Sequence, residues 1–283
     1  MRLFTIILLT FLLAACGTKQ STNDLHPTTD DGHYFFLNKK DLSAGTHHTQ
    51  HYKIFGKYID GYNKFVLMAI DKVQSRFPDG GGYFAGLKAD PPESPIGYEL
   101  TLFGKSLIKP PRTTSYCSGS TYTAFIEALN MILPDGTKKL DSAHYEAMRM
   151  QEPDGSRRED LVKFWGYWNA DGFGDQYALV QYSGMGQRIH PQNARPGDFM
   201  NISWENGGGH SVIFLGWYRE DDSTKKVLYW SSQKRTNGIG DDLVPISRIK
   251  EVCIVRLTHP EHVFDFNIQQ SVNVSVPGDS LNW

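Results

Sequence analysis

Arg195-Pro196-Gly197-Asp198-Phe199-Met200-Asn201-Ile202-Ser203-Trp204 reads as a turn that opens into a strand. Proline presets φ, and glycine accepts the backbone angles that a tight turn demands. The pattern then repeats downstream. Gly207-Gly208-Gly209-His210 leads into the apolar run Ser211-Val212-Ile213-Phe214-Leu215-Gly216, and a polar link at 220–226 precedes Val227-Leu228-Tyr229-Trp230-Ser231-Ser232-Gln233. A loop with Asn237-Gly238-Ile239-Gly240 follows, and Glu251-Val252-Cys253-Ile254-Val255-Arg256-Leu257 closes the set. Sequential strands joined by short polar loops predict an antiparallel sheet.

Upstream lies Thr113-Thr114-Ser115-Tyr116-Cys117-Ser118-Gly119-Ser120, followed by Phe125, Ile126, Leu129 and Ile132 at helical spacing. This predicts a helix that begins at Cys117. Pro134-Asp135-Gly136 turns the chain after it. One helix followed by several sequential strands is an α+β pattern, with the cysteine-bearing helix packed on the antiparallel sheet. Further upstream, Tyr58, Tyr62, Phe65, Val66, Ala69, Ile70, Val73 and Phe77 form one apolar stripe, which predicts an amphipathic helix over 54–77. Tyr98-Glu99-Leu100-Thr101-Leu102-Phe103 alternates as a strand does. The expected organisation is an export signal over 1–15, a flexible tether over 16–50, one domain over 51–260 and a tail over 261–283. Within the domain, 51–111 forms an N-terminal extension and 134–190 an aromatic-rich insertion.

The chemistry concentrates on Cys117. At a helix N-terminus a sulfur meets unpaired backbone N–H groups and the positive end of the helix dipole, both of which favour thiolate. His210 is the best-placed base, since imidazole titrates near neutral pH and a strand is a rigid platform. The residue that orients it should come from the next strand. Gln233 can offer its amide oxygen to the imidazole, ahead of Ser231, Ser232 and Asn237. Donors for an oxyanion are expected from the backbone N–H groups of Cys117 and Ser118, with a hydroxyl from Tyr116 or an upstream tyrosine such as Tyr98. The interleaved aromatics and glycines of the insertion read either as an ordinary helix-and-loop subdomain packing its own rings or as a wall or lid of the substrate groove, and in the second reading Trp165 and Trp168 line that groove.

The N-terminus carries an address. Met1-Arg2, an apolar run over 3–13 and Ala14-Ala15-Cys16-Gly17 form a short export signal with small residues before a cysteine. The run is too short to span a bilayer as a stable helix. Leu13-Ala14-Ala15-Cys16 resembles a bacterial lipobox, which implies a lipid on Cys16 and a mature chain held outside the cytoplasm on a membrane. Cys117 and Cys253 would then be the remaining thiols. They could pair as a disulfide in an oxidising compartment, although Cys253 reads as a buried core thiol. His47, His48 and His51 lie near one another in sequence, but no carboxylate or cysteine completes a set at zinc-like spacing, so no metal and no other cofactor is expected. A formal net charge of −2 offers no electrostatic footprint for nucleic acid.

Tyr116-Cys117-Ser118-Gly119, Ala194-Arg195-Pro196-Gly197-Asp198-Phe199 and Gly209-His210-Ser211-Val212-Ile213-Phe214-Leu215-Gly216, in that order, resemble the motifs of the NlpC/P60 family of papain-like cell-wall cysteine peptidases. The resemblance covers roughly 113–257. It implies a papain-like core, a Cys-His-polar triad carried by Cys117, His210 and Gln233, no metal, and hydrolysis of amide bonds in peptidoglycan stem peptides. The chain departs from the family pattern by having Tyr116 where Asp is usual before the cysteine, by a longer gap between Cys117 and His210, and by lacking the third histidine. A binding or scaffold lipoprotein and an acyltransferase are the other functions this pattern allows.

Overall fold

The computed structural model describes residues 34–88, 96–108, 112–149, 164–165, 174–221, 224–270 and 277–281. The expected signal, Cys16, Trp168 and the Pro-rich stretch at 90–95 lie outside them. Six strands form one sheet: β3 (Gly186–Ile189), β4 (Phe199–Trp204), β5 (Gly209–Arg219), β6 (Lys225–Gln233), β7 (Gly238–Pro245) and β8 (Ile249–Leu257). Their spatial order is β3-β8-β4-β5-β6-β7, and every neighbouring pair is antiparallel. A separate hairpin joins β1 (Leu100–Leu102) to β2 (Lys105–Ile108) through Phe103 and Gly104, both at positive φ. The structure is thus mixed helix and antiparallel sheet, as an α+β chain requires.

Helix α3 (Cys117–Ile132) is buried on all sides from Cys117 to Leu129, because it lies between the sheet and helix α2 (Asn63–Arg76). Phe125 packs its ring at 6.1 Å from Phe199 of β4, and the α2 residue Gln74 accepts a 3.0 Å hydrogen bond from the Trp230 indole of β6. Each fully buried side chain of this kind stabilises the fold by roughly 1.5–3 kcal/mol. Short helix α1 (His51–Phe55) packs on α2, and α4 (Ser142–Ala147) follows α3 in the chain.

Several sequence expectations need correction. The stripe over 54–77 is not one helix: the chain leaves α1, passes a 3-10 turn at Gly56–Tyr58 and Gly61 at φ +66, and only then forms α2. The expected tether is folded in its second half. Tyr34, Phe35, Phe36 and Leu37 are buried, and the Leu37 N–H donates to the Trp217 carbonyl of β5 at 2.7 Å. The expected tail also packs, with Val263 buried and Asp279 exchanging backbone hydrogen bonds with Val252 of β8. The insertion returns to the sheet through a π-helix (Gln176–Tyr182) and the edge strand β3.

Candidate active site

Strands β5 and β6 pair from Arg219↔Lys225 up to Ile213↔Trp230 and stop there. β4 continues along β5 to Ser203↔Gly209, and β7 continues along β6 to Gln233↔Gly238. The sheet therefore opens between the start of β5 and the end of β6. The first turns of α3 fill that opening. Thr121 Oγ1 and Ser211 Oγ lie 2.7 Å apart, the Ser232 N–H donates to Ser120 Oγ at 3.1 Å, and Ser115 Oγ meets Ser232 Oγ at 2.7 Å. On the strand side, Ser231 Oγ donates across the gap to the Ser211 carbonyl at 2.6 Å. Small hydroxylated residues at these positions satisfy strand groups that lost their ladder partners, which is why Ser and Thr cluster here.

Cys117 is the first residue of α3, one turn before Ser120 and Thr121 and on the same face, since residues three and four apart stack on a helix. His210 stands on one lip of the opening and Gln233 on the other. The imidazole Nε2 lies 3.3 Å from Gln233 Oε1. Gln233 uses both amide hydrogens elsewhere, donating to Thr236 Oγ1 at 2.7 Å and to the Gly240 carbonyl at 3.1 Å. Its oxygen must then face the imidazole, and an oxygen can only accept. This assigns the His210 proton to Nε2 and leaves Nδ1 as the free base. Burial, partly countered by the Gln233 hydrogen bond, lowers the His210 pKa to about 4. The ring is neutral at physiological pH.

Three tyrosines interact electrostatically with Cys117. The Tyr116 hydroxyl donates to Cys117, and burial together with the sulfur keeps that hydroxyl protonated. Tyr83 packs on Tyr116 at 5.9 Å, and its pKa is raised by burial and then by the Cys117 charge. Tyr229 meets the His210 ring edge-on at 5.4 Å, and its pKa is raised by burial, then by the Asp242 charge, with a further contribution from Cys117. Trp204 stacks over His210 at 6.1 Å, and Arg248 lies 5.5 Å above the Trp204 ring. Tyr83, Tyr229 and Trp204 were missed by sequence reasoning. Their contacts with the site are long-range, and only the alternation of β6, which puts Tyr229 and Gln233 in phase, offered a signal.

Other expectations fall out plainly. Tyr98 is engaged away from the site, donating to Glu127 at 3.1 Å. Ser118 is fully buried at the second position of α3. Trp165 is a core residue, fully buried against Phe125 at 5.6 Å and Phe199 at 5.7 Å, and does not line a groove. Ser232 and Ser231 are committed to the contacts above, and Asn237 donates to the Asp79 carbonyl. Cys117 and Cys253 are both free thiols. Cys253 is buried in β8, and burial pushes its pKa up to about 12.

The sequence offers His48 and His51 no carboxylate at zinc-like spacing, but the fold brings two carboxylates to them from distant positions. Asp241 of β7 lies 3.0 Å from His48 Nε2 and 2.9 Å from His51 Nε2, and Asp71 of α2 lies 2.7 Å from His51 Nδ1. His48, His51 and Asp241 resemble a metal-ligand set. Their hydrogen bonds, however, assign protons to the ligating atoms. His51 faces a carboxylate with each nitrogen, and despite burial the Asp241 and Asp71 charges raise its pKa to about 9, so it carries both protons. His48 Nδ1 accepts from the Gln50 N–H at 3.1 Å, which puts its proton on Nε2, toward Asp241. The cluster is a hydrogen-bond network centred on the His51 ring.

Comparison with family models, with curated proteins and with solved structures gave no match.

Proposed function

We propose that this chain is a lipid-anchored cysteine hydrolase that cleaves amide bonds in peptidoglycan stem peptides on a papain-like, NlpC/P60-type core. The observation that carries the reading is the His210–Gln233 hydrogen bond across the opening that α3 enters with Cys117 at its tip. In this reading Cys117 Sγ attacks the substrate carbonyl carbon while its proton passes to His210 Nδ1. The Gln233 oxygen holds the imidazolium so formed. The backbone N–H groups of Cys117 and Ser118, at the start of α3, are the donors assigned to the oxyanion in this reading. His210 returns the proton to the leaving amine, and a thioester remains on Cys117. Water, deprotonated by His210, then hydrolyses the thioester and restores the thiol. Because the resting imidazole is neutral, His210 acts as a general base on a thiol and not as half of a preformed ion pair. The motif order and the export signal supply the substrate class and the address.

The test is product analysis. Purified peptidoglycan incubated with wild type should release peptides with new amino and carboxyl ends, and Cys117→Ala should release none. Equal release by both proteins would remove the mechanism. Peptide binding without release by wild type would favour the scaffold function, and transfer of the acyl group to an added amine would favour the acyltransferase.

A further inference from the structure

The geometry points to the segment Thr46 to His51 as a positioning element of the Cys117–His210 site, acting through the loop that holds the Gln233 amide. The inference rests on the catalytic reading above. It goes beyond it by assigning a role to histidines that touch neither sulfur nor substrate.

The chain of contacts is continuous. The two groups that fix the Gln233 amide are Thr236 Oγ1 and the Gly240 carbonyl, both in the loop and strand start at 236–240. That stretch is held from both sides. On one side His47 Nε2 donates to the Thr236 carbonyl at 2.8 Å, and the Asp241 N–H donates to the Thr46 carbonyl at 2.8 Å. Contact is close enough that a Cβ on Gly240 would lie 2.9 Å from the His47 ring and 3.0 Å from the Thr46 oxygen. On the other side the Ile239 N–H donates to Gly80 at 2.8 Å and the Gly82 N–H donates to Asn237 at 2.6 Å. A Cβ on Gly238 would lie 2.0 Å from the Gly80 oxygen, so this face too requires direct backbone contact.

His51 anchors the segment. It bridges Asp71 on α2 and Asp241 on β7, with His48 stacked on it at 4.0 Å and bonded to the second Asp241 oxygen. The His51 and Tyr52 backbone N–H groups also donate to Asp71, at 2.8 and 3.0 Å. The charged groups facing this knot are Asp71 from α2, Asp241 from β7 and His48 from the segment itself, and Asp41 and Arg235 line the adjoining cavity. A bridge with this many partners fixes the angle at which Thr46 and His47 meet the 236–240 loop. Position is thereby passed from His51 through His47 and Thr236 to the Gln233 oxygen and so to the His210 tautomer.

The experiment uses the full chain and two readouts that need no substrate. One is the nitrogen-15 spectrum of His210, which reports which ring nitrogen carries the proton. The other is the alkylation rate of Cys117 by iodoacetamide at pH 7, read peptide by peptide by mass spectrometry. In His51→Gln and in the milder His47→Ala, the Nε2–H form of His210 should give way to a tautomer mixture. Cys117 alkylation should fall about fivefold, the loss expected from about one hydrogen bond. His47 is half-buried, so His47→Ala keeps the test available should His51→Gln fail to fold. Folded variants with an unchanged His210 spectrum and an unchanged Cys117 rate would overturn the inference and leave the segment a purely structural strap. If wild-type Cys117 proves inert, the catalytic reading fails, while the His210 spectrum still decides the positioning.

Discussion

Replacing Gln233 with leucine probes the site at its most specific joint. Leucine keeps most of the side-chain volume and excludes water, but offers His210 no acceptor. The present contact is 3.3 Å from Nε2 to Oε1, and His210 is 8 % exposed, so the stranded N–H has little access to solvent. Leaving a buried donor unpaired costs roughly 1–3 kcal/mol, and the hydrogen bond strengthens to about 1.5–3 kcal/mol when the imidazole becomes charged. Because that charge develops during attack, the loss should appear mainly in kcat. Taken at about 1.4 kcal/mol per decade, kcat should fall about 10- to 150-fold, with KM changed little. Peptide release from purified peptidoglycan, followed by chromatography with mass detection, measures it. The variant also strips two donors from Thr236 and the Gly240 carbonyl, so a urea titration must first show that it is folded. A folded Gln233→Leu variant that releases peptide within about twofold of wild type would refute the assignment of Gln233 as the residue that orients His210.

Other outcomes follow from the same geometry. The acid limb of kcat/KM should lie near pH 4 and not near 6.5, because burial lowers the His210 pKa; a limb at 6.5 would mean that the ring is solvated. Folding stability should carry two opposite pH signatures. The lowered His210 pKa contributes in full above pH 6.5 and is lost as pH falls toward 4, whereas the raised His51 pKa contributes in full below 6.5 and is lost as pH rises through about 9. Urea midpoints at pH 5, 7 and 9.5 should therefore peak at the middle value, and the alkaline loss should vanish in His51→Gln. Both thiols are buried, but Cys253 carries a pKa pushed up to about 12, so iodoacetamide at pH 7 should label Cys117 faster than Cys253; equal labelling would contradict a nucleophilic role for Cys117. Trp165→Ala should lower stability by about 3–5 kcal/mol, as expected for a large side chain removed from a closed core, with kcat of the folded fraction preserved.

What could be read in advance, and what could not, has a physical basis. The start of α3 was legible because apolar spacing begins just after Cys117, and β4, β5, β6 and β8 were legible as apolar runs between polar or glycine turns, whereas β7 begins at Gly238 inside the stretch read as a loop and the edge strand β3 lies in the insertion. Gln233 could be singled out because cross-strand neighbours of a sequential hairpin are constrained by a two-residue period. The opening between β5 and β6 was not legible, since it depends on hydroxyls of α3 replacing ladder bonds. The polar composition of 16–50 hid Tyr34-Phe35-Phe36-Leu37, an apolar run that was the signal for burial. The stripe over 54–77 kept its period through the break because residues on both sides of Gly61 face the same core. Asp241 lies 190 residues from His51, and no local pattern announces that pairing. Trp165 shows the limit of composition: interleaved aromatics and glycines look alike whether they line a groove or fill a core.

The most direct measurement is the mass of the intact protein after rapid acid quenching of a reaction with a purified peptidoglycan stem peptide. The account predicts an added mass equal to the acyl fragment, mapped to the peptide containing Cys117, labile to hydroxylamine and absent in Cys117→Ala. A chain that releases peptide with no adduct at Cys117, or that forms the adduct equally well in His210→Ala, would contradict a thioester route through this cysteine and its neutral histidine.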